Sequence, residues 1–177
     1  MRSLILAAVV FLLSASVFTQ TTQIFNTTIA YDQTYDNGSL STTGIACSNG
    51  INGVIDQNGA TILSEIPNWP NISGAPFIAG WNSVNCSSCW ELTLGDNFNT
   101  VVHLLAVDVA QGGFNVGLNV MNNLTRNNAI DLGRVPATAR LVDQTACEAG
   151  QSNKPPRRRC PRRLGGIRRR RTWGVGR

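Results

Sequence analysis

Asp108 ends an apolar run, Leu104-Leu105-Ala106-Val107, and a few residues later come Gly112 and Gly113. A carboxylate at a strand's end, beside backbone with no side chain, can accept hydrogen bonds from sugar hydroxyls or amides. The structural alternative is an aspartate that caps its own turn. Asn115 offers an amide to an N-acetyl group, or to the first turn of a following helix, where asparagine is a good N-cap. Gly112 and Gly113 would leave a shallow surface on which a glycan can approach the backbone. Ser48, Asn49, Asn82 and Ser83, all close to cysteines, are further candidates for carbohydrate contact, and each is also explicable as ordinary turn chemistry. Trp81 and Trp90 have faces that could stack on a sugar ring, but their place near cysteines reads as core packing. Trp69, between Asn68 and Pro70, reads as the exposed ring.

The acidic residues argue against hydrolysis. Glycoside cleavage ordinarily needs two carboxyl groups, about 5 Å or about 6.5–9.5 Å apart. Asp108 has no evident second, because Asp32, Asp36, Asp56 and Asp96 all sit in turn-like surroundings. His103 lies inside a β-patterned run and reads as a structural histidine. No Ser–His–Asp arrangement, phosphate loop or metal cluster can be recognised. The expectation is a binding protein rather than an enzyme, with no catalytic residue, metal or cofactor.

The five cysteines are Cys47, Cys86, Cys89, Cys147 and Cys160. The first four read as two disulfides with three possible connectivities. A redox role for the Cys86-Ser87-Ser88-Cys89 pair lacks a surrounding βαβ pattern, and a zinc site lacks histidines beyond His103. Bridges that close loops of several tens of residues each add about 3–4 kcal/mol in the chain-entropy view.

The elements that must position these groups are short. Turn signals recur at Asn37-Gly38, Asn49-Gly50, Asn52-Gly53, Asn58-Gly59, Gly95-Asp96-Asn97 and Gly112-Gly113. Between them, residues 44–46, 53–56, 90–94, 101–109 and 137–142 suit strands. Phe114, Leu118, Met121 and Leu124 have helical spacing, with Asn115 as the expected N-cap, and a second short helix is expected near 61–65 before Pro67. Many short strands, few helices and two staples predict a compact barrel or sandwich, mainly β.

Charge divides the chain. Its 177 residues carry 15 Lys and Arg against 10 Asp and Glu, a net of +5, and only 14% are charged where about 25% is usual. Eleven of the 15 bases lie in residues 151–177, which hold no acid; the first 150 residues hold 4 bases and all 10 acids, a net of −6. The pI near 9.3 therefore says nothing about the body, and a nucleic-acid partner is not expected. The arginine-rich segment 151–177 reads as disordered, or as a misassigned end of the coding sequence. Arg2, the apolar run 4–13 and the small residues after it have the layout of a secretory signal peptide, residues 1–19. That run is too short to span a bilayer, so no integral membrane segment is expected. Export agrees with the disulfides and with five glycosylation sequons, at Asn26, Asn37, Asn71, Asn85 and Asn123. The expected location is secreted, extracellular or wall-associated.

Several segments carry a resemblance. Ala30-Tyr31-Asp32, Ala46-Cys47-Ser48-Asn49-Gly50, Ile66-Pro67-Asn68-Trp69-Pro70 and the block from Ala79-Gly80-Trp81-Asn82-Ser83 to Cys86-Ser87-Ser88-Cys89-Trp90 resemble the cerato-platanin family. Ala106-Val107-Asp108, Gly112-Gly113-Phe114-Asn115, Leu132-Gly133-Arg134-Val135 and Cys147 continue the match in order, over about residues 29–148. The resemblance implies a secreted fungal protein with a six-stranded double-ψ β-barrel, similar to the first domain of expansins. It implies the pairing Cys47–Cys86 and Cys89–Cys147. It implies binding of chitin or other N-acetylglucosamine oligomers, non-hydrolytic loosening of cell-wall material, and elicitation of plant defence through immune receptors. Self-assembly at interfaces is also implied. Asp108 matches the acid shared with the expansin-like barrel. A weak barrel glycoside hydrolase is the alternative.

Overall fold

The computed structural model describes residues 23–95 and 98–148; the expected signal peptide, the arginine-rich segment with Cys160, and Asp96 and Asn97 lie outside them. The six strands are β1 (Ile24–Tyr31), β2 (Ile72–Ala75), β3 (Cys89–Leu94), β4 (Thr100–Val109), β5 (Phe114–Val116) and β6 (Arg134–Val142). They close into one barrel in the order β1-β5-β2-β4-β3-β6. Pairing is mixed: β1–β5 and β2–β4 are parallel, and the other four pairs are antiparallel. Four short helices accompany them, α1 (Val54–Asn58), α2 (Leu118–Leu124), α3 (Ala129–Leu132) and α4 (Thr145–Glu148). Among the described residues no helix is long and apolar enough to cross a membrane.

Side-chain alternation fills the barrel. On β3, Trp90, Leu92 and Leu94 are buried while Glu91 and Thr93 face outward. Ile29, Leu104, Ile72 and Phe114 join them, each less than 2% exposed. Burial of such a side chain contributes about 1.5–3 kcal/mol. Of the disulfides, Cys47–Cys86 joins two loops and Cys89–Cys147 ties α4 to β3, so neither member of the CxxC pair bonds the other. Outside the barrel, Glu91 stands directly opposite His103 on β4 and Arg140 on β6. Arg140 holds the carboxylate with two bonds, 2.6 and 2.9 Å, and His103 Nε2 lies 3.1 Å away. His103 is thus part of a cross-strand ion cluster.

Several expected elements differ. Residues 53–56 form the start of α1 and not a strand: Gly59, at φ 71°, closes the helix by donating to the Ile55 and Val54 carbonyls. Residues 44–46 are the end of a 3₁₀ turn, Thr42–Gly44, and the loop after it, stitched to β4 by Ala46 N–H to Asp108 and Cys47 N–H to the Val107 carbonyl. Near 61–65 there is a 3₁₀ turn, Leu63–Glu65. Phe114 and Asn115 belong to β5, because their backbone pairs with Ile29 and Ala30 of β1. Asn115 therefore caps nothing. The helix begins at Leu118, and its N-terminal N–H groups are taken by a residue far away in sequence: Asp36 Oδ2 accepts from Leu118 at 2.7 Å and Oδ1 from Asn119 at 3.2 Å. Gly117 permits the approach, since a Cβ there would meet Asp36 Oδ1.

Asp36→Ala should lower the unfolding free energy by about 1–2 kcal/mol in urea titrations, the cost of a lost cap; an unchanged midpoint would make the remote cap dispensable. Arg140 chiefly, and His103 after it, hold the Glu91 carboxyl below its usual range. A depressed folded value means the stability gained is complete above the unfolded value near 4.3 and fades as pH falls through the folded one. The stability difference between wild type and Glu91→Gln should accordingly be largest near neutrality and shrink below about pH 4, read by thermal melts across pH.

Candidate functional site

Asp108 is fully engaged by its own chain. Its Oδ1 accepts from Ala46 N–H at 2.9 Å and Val109 N–H at 2.8 Å, and its Oδ2 accepts from the Tyr35 hydroxyl at 3.2 Å. Tyr35 is buried, and burial, aided by the Asp108 charge, pushes its phenol far above the usual range, so it stays a donor. Gly74 of β2 pairs with both Asp108 and Asn115, which puts the three in one row across β4, β2 and β5. A Cβ on Gly74 would meet the Tyr35 hydroxyl, so the row is closed over by that ring. Asn115 Oδ1 is buried in this row and has no hydrogen-bond partner.

Ser48, Asn49, Asn82 and Ser83 lie on the two loops joined by Cys47–Cys86. Asn82, at φ 54°, accepts from Asn52 N–H through Oδ1 and from Asn52 Nδ2 through its carbonyl, both at 3.0 Å. Ser83 Oγ accepts from Ala79 and Asn85 N–H groups. Ser48 is buried, its hydroxyl directed at Asn49 Oδ1, which also accepts from Trp81 Nε1 at 2.7 Å. Trp81 is 67% exposed, contrary to the expected core position, because that bond turns its ring outward over the loop. Trp69 is the reverse: it is half-buried, with Nε1 donating to the Tyr35 carbonyl and its ring beneath Gly38. Trp90 is in the core.

Gly112 and Gly113 lie elsewhere, at the end of a cleft of about 520 Å³. Phe25, Asn26, Thr27 and Thr28 of β1 form one side of it and Pro76 and Phe77 the other. None of the remaining candidates lines it. Phe77 stacks on Trp90 with ring centroids 4.3 Å apart and planes 5° apart, while Phe25 lies 5.2 Å from Phe77. Gly113, at φ 137°, has no room for a side chain, since a Cβ would collide with Thr28. The Gly112 carbonyl accepts from Thr28 Oγ1 at 2.8 Å and Arg134 Nη1 at 3.0 Å, which pins the glycine turn to β1. A second depression, about 280 Å³, adjoins across Asn26 and Thr27 and is lined by Thr93, Pro136 and Thr138. Sequence reasoning did not single out Phe25 or Phe77. They are 52 positions apart and meet only when the barrel closes; the available signal was an aromatic after the Gly74-Ala75-Pro76 run.

Among the other described carboxylates, Asp32 takes Thr34 N–H, Asp56 takes Gly50 N–H, Glu65 takes the Thr61 N–H and hydroxyl, and Asp143 takes the Thr145 N–H and hydroxyl. No group of three or more His, Cys, Asp or Glu among the described residues could hold a metal ion. Removing Asp108 leaves the Ala46 N–H and Tyr35 hydroxyl without their acceptor, at about 1–3 kcal/mol each. Asp108→Ala should therefore lower the midpoint of thermal unfolding by several degrees and Asp108→Asn by less; a melt unchanged in both would leave the carboxylate with no structural role.

Comparisons with known proteins agree with this geometry. The family model described as cerato-platanin matches residues 27–149. Allergen Asp f 15 of Aspergillus fumigatus is 38% identical over 122 residues, 69% of this chain and 77% of that protein. The heat-stable 19 kDa antigen of Coccidioides immitis is 39% identical over 131 residues, 73% of this chain and 87% of that protein. Among solved structures, cerato-platanin 3 of M. perniciosa superposes with a TM-score of 0.64 at 36% identity, covering 70% of this chain and 98% of that one. The solution structure titled as the fungal elicitor cerato-platanin gives 0.61 at 35% identity over the same shares. With the barrel, the two bridges and the match over most of the folded residues in hand, the chain belongs to the cerato-platanin family.

Proposed function

We propose that this chain is a secreted, non-hydrolytic protein that binds chitin-type N-acetylglucosamine oligomers in the cleft between β1 and the Pro76–Phe77 segment, loosens wall polysaccharide and elicits plant defence. The observation that carries the reading is the aromatic wall of that cleft: Phe77 and Phe25 among its lining, with Thr27, Thr28 and Asn26 at the same opening. Pyranose rings present apolar C–H faces to aromatic rings, and their hydroxyl and N-acetyl groups need donors and acceptors beside them. The glycine turn supplies backbone where a side chain would obstruct. The engagement of Asp108, Asp36 and Glu91 in backbone caps and an ion pair supports binding without cleavage. The elicitor role is carried over from the solved relative named as a fungal elicitor. Self-assembly at interfaces is a companion reading, favoured by Ile51, Trp81 and Val84, which are 82%, 67% and 86% exposed.

Titration with N-acetylglucosamine oligomers followed by NMR, with reducing-sugar analysis of the same samples, tests the reading. Amide shifts are expected at residues 25–28, 76–77 and 112–113, with no product. Phe77→Leu keeps apolar volume but removes the ring face, and should weaken binding roughly 5–10-fold while the fold is retained. Absence of shifts, or release of sugar, overturns it.

A further inference from the structure

We propose that Asn26 is an N-glycosylation site whose attached N-acetylglucosamine sits at the mouth of the cleft and competes there with free oligomers. The inference rests on the glycan-binding reading of that cleft. Asn26 is exposed on β1, is followed by Thr27 and Thr28, and contributes to the lining of both depressions. Its backbone pairs with Thr138 of β6 on one side, while β5 meets β1 only from Ile29 onward, so the cleft side of the strand is open. The other sequons are placed differently. Asn85 has its Nδ2 committed to the Phe77 carbonyl at 2.7 Å. The sequon of Asn71 ends at Ser73 and that of Asn123 at Thr125, both wholly buried. Asn37 uses its Oδ1 in its own turn, and neither depression includes it.

Attachment joins Asn26 Nδ2 to C1 of the first sugar of a lipid-pyrophosphate-linked oligosaccharide. The C1–O bond breaks, the lipid pyrophosphate leaves with its electron pair, and the amide gives up one proton. The first sugar of such a glycan is N-acetylglucosamine, the chemistry proposed for the free ligand. A linked group within reach of a site is present at millimolar effective concentration. If the tethered sugar's own Kd for the cleft is about a tenth of that concentration, a free oligomer would see its affinity fall about tenfold. A glycan at Asn26 would thus set how readily the cleft accepts wall fragments.

The test uses the full chain secreted by a eukaryotic host, with glycopeptide mass spectrometry at Asn26 and titration with chitotriose. Asn26 should carry glycan. Wild type made in an oxidising bacterial host should bind about 3–10-fold more tightly than the secreted form. Asn26→Gln, which also alters the cleft lining, should bind more tightly than the secreted form by a smaller factor, and Asn123→Gln should match the secreted form. An unmodified Asn26, or equal affinity with and without its glycan, overturns the proposal. Should neither unglycosylated form bind chitotriose, the glycan-binding reading of the cleft falls with it, whereas an unmodified Asn26 beside tight binding removes only the competition.

Discussion

Strands of unequal length must close one barrel, and most of what is distinctive about this molecule follows from that. β4 and β6 run for 10 and 9 residues, while β5 has 3 and β2 has 4. β1 is satisfied along β6 over seven positions but meets β5 over only three. Where the short strands give out, the wall has to be completed by side chains. Phe25, Phe77, Trp90 and Phe114 do this, with centroid separations from 4.3 to 6.2 Å. The cleft is the residue of the same mismatch, open because no backbone occupies it. Its aromatic character is therefore a consequence of closing the barrel.

A second consequence concerns the acidic residues. With so little regular structure, many backbone N–H groups near loops lack a ladder or helix partner. The chain satisfies them with carboxylates reached over long sequence distances: Asp108 serves the loop of Cys47, and Asp36 serves α2. Part of the body's negative charge is thereby spent on architecture.

The large features were legible in the sequence for physical reasons. Strand alternation announced β3 and β6, since each buries one face, the continuous apolar run Leu104 to Val107, buried throughout, announced β4, and the helical spacing of Leu118, Met121 and Leu124 reported α2. β2 and β5 were not seen, because Ile72-Ser73-Gly74-Ala75 and Phe114-Asn115-Val116 are too short to establish a period, and β1 was not seen because its eight residues, from Ile24 to Tyr31, group apolar and polar residues in runs without alternating. The β-branched Val54 and Ile55 suggested a strand, but Gly59 ends a helix there. Of the candidate site residues, Gly112 and Gly113 line the cleft, whereas Asp108, Asn115 and the loop residues lie outside it. Trp81 and Trp69 exchanged their expected exposures, because a single indole hydrogen bond, to Asn49 in one case and to Tyr35 in the other, decides which way each ring turns. Such partners are distant in sequence, and no local pattern encodes them.

The β1–β6 pairing also has a consequence in time. Ile24 lies opposite Arg140, 116 positions later in the chain. At roughly 5–20 residues per second of synthesis, the partner of the first strand is made about 6–20 s after the strand itself. Throughout that interval β1, with Phe25 and Asn26, lacks the strand it pairs with over most of its length. The first strand to be made is the last to be enclosed, and whatever acts on it during synthesis acts before the barrel is there to hide it.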